Sequence, residues 1–269
     1  MGNTALVRAM VEAGTRVVTS YPGSPTPEIA SAISSVPSSE RPFHFEFCVN
    51  EKVATEVAYG AAVNGRPSAV FFKSVGLNVA ADTFVQLNHM DVTGGMVVIL
   101  GDDPGANSSQ NEQDNRHLAR MSYTPVLEPA TPSEVYSFFL EASALARRLR
   151  MAVILRLTTH VCHGKERVSF QGWNPAPVDD TPVFDGAGGR YIPIGPRVAE
   201  MKERALNRLS QVSGPDTARL HRFIDNDNPR RGIITAGLPF LSVLDTVSLE
   251  KQKPDILKLG LVYPWTGSS

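Results

Sequence analysis

The segment Ser68-Ala69-Val70-Phe71-Phe72-Lys73 is almost wholly apolar over the length of a strand, fenced by Gly65-Arg66-Pro67 before it and Gly76 after it. A strand wetted on one side would alternate polar with apolar residues, so this one has to be covered on both faces. Gly95-Met96-Val97-Val98-Ile99-Leu100-Gly101 and Ala152-Val153-Ile154-Leu155-Arg156-Leu157 are two further strands, with helically spaced stretches between them. That alternation predicts an α/β chain built on a mostly parallel sheet with helices on both faces.

The other elements fit this frame. Residues 4–13 carry apolar side chains at helical spacing up to Gly14, and 16–20 read as a short strand. The turn Pro22-Gly23-Ser24-Pro25 leads to a helix over 28–33; 43–47 is a strand, and a small-residue helix starts at Glu51. Helices are expected over 77–89 and 135–149, the second with a basic end, Arg147-Arg148-Leu149-Arg150, suited to the helix dipole; Val126-Leu127 is a short strand between them. Beyond His163 the texture changes, and 171–197 repeats Pro and Gly without periodicity, as a linker does. Charged helices over 198–211 and 216–226, a strand-turn-helix unit from Gly232 to near Leu249 and a strand over 255–260 then predict a partial second α/β domain. The expected division is 1–165, a linker over 166–197, and 198–269. Gly267-Ser268-Ser269 reads as a vector-derived tail on a chain cut within that second domain.

Composition narrows the partners. A formal net charge of -1 gives no broad attraction to nucleic acid or to an anionic membrane. Cys48 and Cys162 are the only cysteines, too few for a disulfide framework and without the spacing of a zinc or iron–sulfur site. No apolar run reaches the roughly 20 residues that span a bilayer, and no signal pattern opens the chain, which reads as cytoplasmic.

Chemistry is expected where strands end. The stretch Phe45-Glu46-Phe47-Cys48-Val49-Asn50-Glu51-Lys52-Val53-Ala54 delivers Glu51 to a helix start. Asn50 as N-cap with an acid in the first turn accounts for Glu51 structurally. The functional reading is that Phe45, Phe47, Val49, Val53 and Ala54 shelter a carboxylate able to hydrogen-bond a heterocycle nitrogen. Tyr21-Pro22-Gly23-Ser24-Pro25 also follows a strand, where ligands collect in open α/β sheets, and Ser24 supplies a hydroxyl; a rigid Pro-Gly turn is the alternative. Lys73-Ser74-Val75-Gly76-Leu77-Asn78 offers a cation and, at Gly76, close backbone approach. In the polar run from Ser108 to Arg116, Arg116 is suited to clamping a carboxylate. No Gly-x-Gly-x-x-Gly or P-loop is present, and the scattered histidines make no ligand set.

Tyr21-Pro22-Gly23-Ser24-Pro25, Val49-Asn50-Glu51-Lys52-Val53-Ala54, Val75-Gly76-Leu77-Asn78-Val79-Ala80-Ala81-Asp82 and Ser108-Ser109-Gln110-Asn111-Glu112-Gln113-Asp114-Asn115-Arg116, in this order, resemble the alpha subunit of indolepyruvate ferredoxin oxidoreductases. The resemblance covers residues 2–163 as a thiamine-diphosphate pyrimidine-binding domain, with a truncated transketolase C-terminal-like domain from Arg231. It implies oxidative decarboxylation of aryl 2-oxoacids, with electrons passing to ferredoxin and product to coenzyme A. It further implies that Glu51 binds the aminopyrimidine nitrogen, that Gly76 and Asn78 line the cofactor, and that Ser24, Lys73 and Arg116 face the oxoacid. Relatives usually have Thr where Ser24 stands and often His where Ser74 stands, which preserves a hydroxyl at the first position and no ring at the second. Magnesium, diphosphate and iron–sulfur sites would lie in a partner domain or subunit, no metal ligands are expected here, and the chain would pair as a dimer. The rival reading is a non-catalytic α/β binding module.

Overall fold

A computed structural model describes residues 1–170, 177, 179, 181–212, 214–228 and 230–265. Part of the expected linker, and Gly267-Ser268-Ser269, lie outside the described residues. The elements of the first half are α1 (Gly2–Glu12), β1 (Val17–Ser20), α2 (Pro27–Ser34), β2 (His44–Phe47), α3 (Glu51–Val63), β3 (Ser68–Lys73) and α4 (Gly76–Phe84). They continue through β4 (Met96–Asp102), α5 (Arg116–Met121), β5 (Val126–Leu127), α6 (Pro132–Leu149), β6 (Ala152–Thr158) and α7 (Thr159–His163). After them come α8 (Arg197–Ser210), α9 (Pro215–Ala218), β7 (Arg222–Ile224), β8 (Gly232–Ala236), α10 (Pro239–Ser248), β9 (Asp255–Leu259) and β10 (Leu261–Tyr263).

The main sheet has seven strands in the order β10-β5-β6-β4-β3-β1-β2, all parallel except β10. Consecutive residues of its central strands go to opposite cores. Ala69, Phe71, Val97 and Ile99 pack with α1, α2 and α6, whereas Val70, Phe72, Val98 and Leu100 pack with α3 and α4. This is the two-sided coverage that the unalternating strands require. Helix α3 lays Ala54, Ala58 and Ala62, one per turn, against the sheet, and their small size lets it sit close.

Chain order reverses between β1 and β3: the chain runs outward from β1 to β2, then crosses back to place β3 on the other side of β1. In open α/β sheets a crevice forms at such a switch, outside the carboxyl ends of the strands. Register keeps those ends level, with Ser20 beside Phe71, Lys73 beside Gly101, and Asp102 beside Thr158.

Helix α6 starts where its caps dictate. Thr131 Oγ1 accepts from the Glu134 amide at 3.2 Å, and Glu134 Oε2 accepts from the Ala130 amide at 2.6 Å. It stops at Arg150, whose backbone is left-handed (φ 53) and whose guanidinium holds Asp91 through both carboxylate oxygens at 2.5 and 2.6 Å.

Three differences from expectation have local causes. Helix α4 ends at Phe84 rather than His89, because the chain bends to bury Asn88. The Asn88 amide accepts from Ala152 N at 2.7 Å and donates to Thr124 Oγ1 at 3.0 Å, stapling the bend to β6. The helix expected over 216–226 is only the short α9, since Arg222–Ile224 pairs antiparallel with β9. In place of one strand over 255–260, the chain makes β9 in a three-stranded sheet ordered β7-β9-β8, then kinks at Gly260. There β10 crosses to the main sheet and pairs antiparallel with β5. The kink is tight: a Cβ on Gly260 would lie 2.1 Å from the Leu220 carbonyl oxygen.

The two sheets are tied by a buried lysine. Lys258 of β9 pairs with Glu134 and lies over the rings of Phe138 and Phe240, at 5.1 and 5.5 Å. Burial pushes its ammonium below the ordinary lysine range. Among the described residues no helix is long and apolar enough to cross a membrane.

Ile99, fully buried in the middle of β4, tests the packing. Ile99→Ala is expected to lower the unfolding free energy by roughly 2–5 kcal/mol. A shifted urea midpoint at unchanged slope would show it.

Candidate active site

The loops at the carboxyl ends of β1, β2, β3 and β4 converge on the switch point. After β2 the backbone reaches Asn50 in an extended conformation, and Asn50 Oδ1 accepts from the Val53 amide at 2.9 Å. This cap starts α3 with Glu51 as its first residue. The Glu51 side chain turns inward, leaving the residue 7% exposed.

Its shelter differs from the one expected. Phe47 and Val49 are 52% and 80% exposed, the first at the end of the edge strand β2 and the second in the loop after it. Phe45 belongs to the opposite core, stacked on Phe71 at 5.9 Å. What covers Glu51 instead is the start of α4: a Cβ built on Gly76 would lie 2.7 Å from both Cγ and Oε1 of Glu51. Only a residue without a side chain fits there. Among the described residues no donor pairs with the Glu51 carboxylate.

Asn78 stands in the first turn of α4, on the same loop edge as Gly76. It exchanges amide hydrogen bonds with Gln113, each 2.9 Å long. Gln113 also donates to Asn115 Oδ1 at 2.7 Å. Asn115 in turn donates to Ser74 Oγ at 2.9 Å and to Asp102 Oδ1 at 2.6 Å. Gln113 and Asn115 therefore tie the end of the polar run back onto the strand ends, while most of Ser108 to Asp114 stays exposed.

On the other side of the crevice, the turn after β1 lies on Lys73. A Cβ on Gly23 would meet Lys73 Cδ at 2.7 Å, and one on Gly101 would meet Thr26 Cγ2 at 2.6 Å. Ser24 is half-buried in this turn, before a cis Ser24-Pro25 bond. Among the described residues the Lys73 ammonium reaches only a neutral partner, Gln110 Oε1, at 3.2 Å.

Arg116 sits apart from these groups. Its guanidinium grips Asp114 at 2.8 and 2.9 Å and approaches Glu128 at 3.6 Å. Hydrogen bonds from Arg116 bring the Asp114 carboxyl down to about 2, and the same pairing raises Arg116 above the ordinary arginine range. Glu128 also accepts from Arg156 at 3.1 Å, and Arg156 donates to Asp102 at 2.5 Å. Asp114, Arg116, Glu128 and Arg156 line a cleft of about 550 Å³ that Gly237-Leu238-Pro239 borders from the second sheet.

The structure thus joins Glu51, Gly76 and Asn78, and separately Lys73 with the Ser24 turn. Arg116 connects to them through Glu128, Arg156, Asp102, Asn115 and Gln113. Sequence reasoning did not single out Asp102 with Asn115, or Arg156 with Glu128. One signal was present: Arg156 interrupts an otherwise apolar strand, and a guanidinium there needs carboxylates.

Comparison with known proteins gives consistent results. Residues 8–182 match the family model described as pyruvate flavodoxin/ferredoxin oxidoreductase, thiamine diphosphate-binding. The chain is 38% identical over 267 residues to the indolepyruvate oxidoreductase subunit IorA of Methanothermobacter marburgensis, covering 98% of this chain and 43% of that protein. For the subunit of the same name from Pyrococcus abyssi the identity is 32% over 282 residues, covering 98% and 41%. The chain therefore spans about two fifths of the length of these relatives. Among solved structures, 2-oxoglutarate:ferredoxin oxidoreductase from Magnetococcus marinus superposes with a TM-score of 0.76 at 17% identity, over 98% of this chain and 54% of that one.

Two outcomes are expected from this geometry. Gly76→Val should displace the Glu51 side chain while the sheet stays folded, which a crystal structure of the variant would show as a rotated, solvent-facing carboxylate. Asp114 has a depressed folded-state pKa, so its pairing stabilises the protein above about pH 4 and that stabilisation is lost as the pH falls toward about 2. Asp114→Asn should accordingly flatten the fall in denaturation midpoint across that interval.

Proposed function

The chain belongs to the thiamine diphosphate-binding family of pyruvate flavodoxin/ferredoxin oxidoreductases, and on that premise we propose that it forms the pyrimidine-binding half of an indolepyruvate-type 2-oxoacid:ferredoxin oxidoreductase. The observation that carries this reading is Glu51, a nearly buried acid with no donor on its carboxylate among the described residues, seated over a glycine that nothing larger can replace. The fit is chemical as well as steric. A carboxyl in that position can hold a proton shared with a ring nitrogen, and Gly76 leaves room for a flat heterocycle beside it. When bound, thiamine diphosphate supplies the nucleophilic carbon and the electron sink for decarboxylating a 2-oxoacid.

The chain's own residues bind and orient. Glu51 accepts and returns the proton of the pyrimidine nitrogen, while Gly76 and the Asn78–Gln113 amide pair set one wall. On the substrate side, Ser24 offers a hydroxyl, and Lys73 offers an ammonium that, among the described residues, meets only a neutral amide. Arg116 is already neutralised by Asp114, so its part is to share a guanidinium edge at the cleft rather than to act as a free cation.

The rest of the active centre comes from elsewhere. Magnesium, the diphosphate grip and the iron–sulfur clusters fall to a diphosphate-binding domain or subunit, and ferredoxin, coenzyme A and the aryl 2-oxoacid are the reactants of the assembled enzyme. Exposed Tyr21, Phe47, Val49 and Val79 lie on the crevice loops and on the edges next to them, which suits coverage by that partner. We take residues 1–165 as the pyrimidine-binding unit, 166–197 as a connection and 198–269 as the start of a transketolase C-terminal-like unit, in a cytoplasmic, dimeric assembly.

In the complete enzyme Glu51→Ala is expected to reduce indolepyruvate-dependent ferredoxin reduction by about 10²–10⁴-fold. Unchanged turnover would instead favour a binding module that keeps the fold without the chemistry.

A further inference from the structure

A second cavity lies at the opposite end of the sheet from Glu51, beside the amino ends of β4 and β6. It encloses about 370 Å³, and its walls include His89, Asp91, Arg150, Arg190, Arg204 and Arg208. The last turn of α6, the bend after α4 and the helix α8 bring these side chains together from positions more than a hundred residues apart.

The charges do not balance. Arg150 takes both oxygens of Asp91, and Arg190 shares Asp91 at 3.6 Å and reaches Asp185 at 3.3 Å. Arg208 meets no carboxylate; it donates to the backbone carbonyls of Arg150, Asn88 and Met90 at 2.8, 2.7 and 3.0 Å. Those bonds fix its position but do not cancel its charge. Arg204 has no ion pair among the described residues. Four guanidiniums thus face two carboxylates, leaving two positive charges around one cavity.

The titrating groups feel this field. Burial pushes the Arg208 guanidinium below its ordinary range, with Arg204 and Arg150 adding to the effect against Asp91. Burial likewise lowers His89, helped by the charges of Lys202 and Arg208. Arg208 is half-buried with no carboxylate beside it among the described residues, which is costly unless an anion joins it, and the exposed Arg204 adds a further positive charge at the rim. Arginine forks suit the oxygens of a phosphoryl group in particular.

We propose that this cavity is a binding site for a phosphorylated anion of the diphosphate class, separate from the Glu51 crevice and independent of the function assigned to it. The source is either a free diphosphate or the diphosphate of a nucleotide, and both present the same oxygens to the arginines.

Calorimetric titration of the full chain with pyrophosphate, ADP and adenosine, at ionic strength held constant with sodium chloride, tests the site. Pyrophosphate and ADP should bind and adenosine should not; tighter binding of ADP assigns a nucleotide, and equal binding assigns the diphosphate alone. Arg204→Glu, on the exposed face of α8, should weaken both by about tenfold or more. Arg167→Glu makes the same charge change near the other end of α6, and Glu51→Ala alters the crevice; neither should change the affinity. No binding beyond that of chloride, or equal weakening by Arg204→Glu and Arg167→Glu, would overturn the proposal.

Discussion

Burial of β3, β4 and β6 on both faces is the constraint from which the rest of this fold follows. Strands with no polar face have to be roofed twice, and parallel neighbours need a crossover between each pair, so the helices that connect the strands also cover them. Apart from Arg156 in β6, polar groups are kept off both faces by this arrangement. They collect at the strand ends, and because the strands are parallel, all the carboxyl ends lie on one edge. The reversal of chain order between β1 and β3 then opens a crevice on that edge.

Within the crevice, close packing and polar satisfaction are the same device. Gly23, Gly76 and Gly101 each let a neighbouring side chain lie against bare backbone, which draws the loops after β1, β3 and β4 together. The long polar run after β4 then closes over them through Gln113 and Asn115, with Asp102 and Ser74 as its anchors. Asp102 and Arg156 are both nearly buried, and each finds the other within a chain of alternating charges that ends at Asp114. Removing Arg156 would strand the buried carboxylates of Asp102 and Glu128. Against that background Glu51 is a nearly buried acid with no hydrogen-bond donor on its carboxylate among the described residues.

The same economy is missing at the far end of the sheet. There the bend at Asn88 and the end of α6 are held by backbone carbonyls and a single shared aspartate, and the surplus guanidiniums of α8 have nothing comparable to pair with. The second sheet shows a third solution, in which Lys258 is balanced by Glu134 and two aromatic faces.

Much of this was legible in the order of residues. Unalternating strands, their spacing and the cap at Asn50 determine the α/β architecture, the start of α3 and the arrival of an acid at position 51, because each depends on local propensity and on whether a segment has a wet side. Four short motifs in fixed order were enough to suggest the family. The sequence did not show that Phe47 at the end of the edge strand and Val49 in the loop after it stay exposed, while Gly76 lies against Glu51. Nor did it show that Arg116 is claimed by Asp114, that Arg222–Ile224 is a strand, or that Leu261–Tyr263 returns to the first sheet. These outcomes rest on contacts between segments distant in the chain, whose energies depend on which partner arrives, and only the assembled tertiary structure decides that.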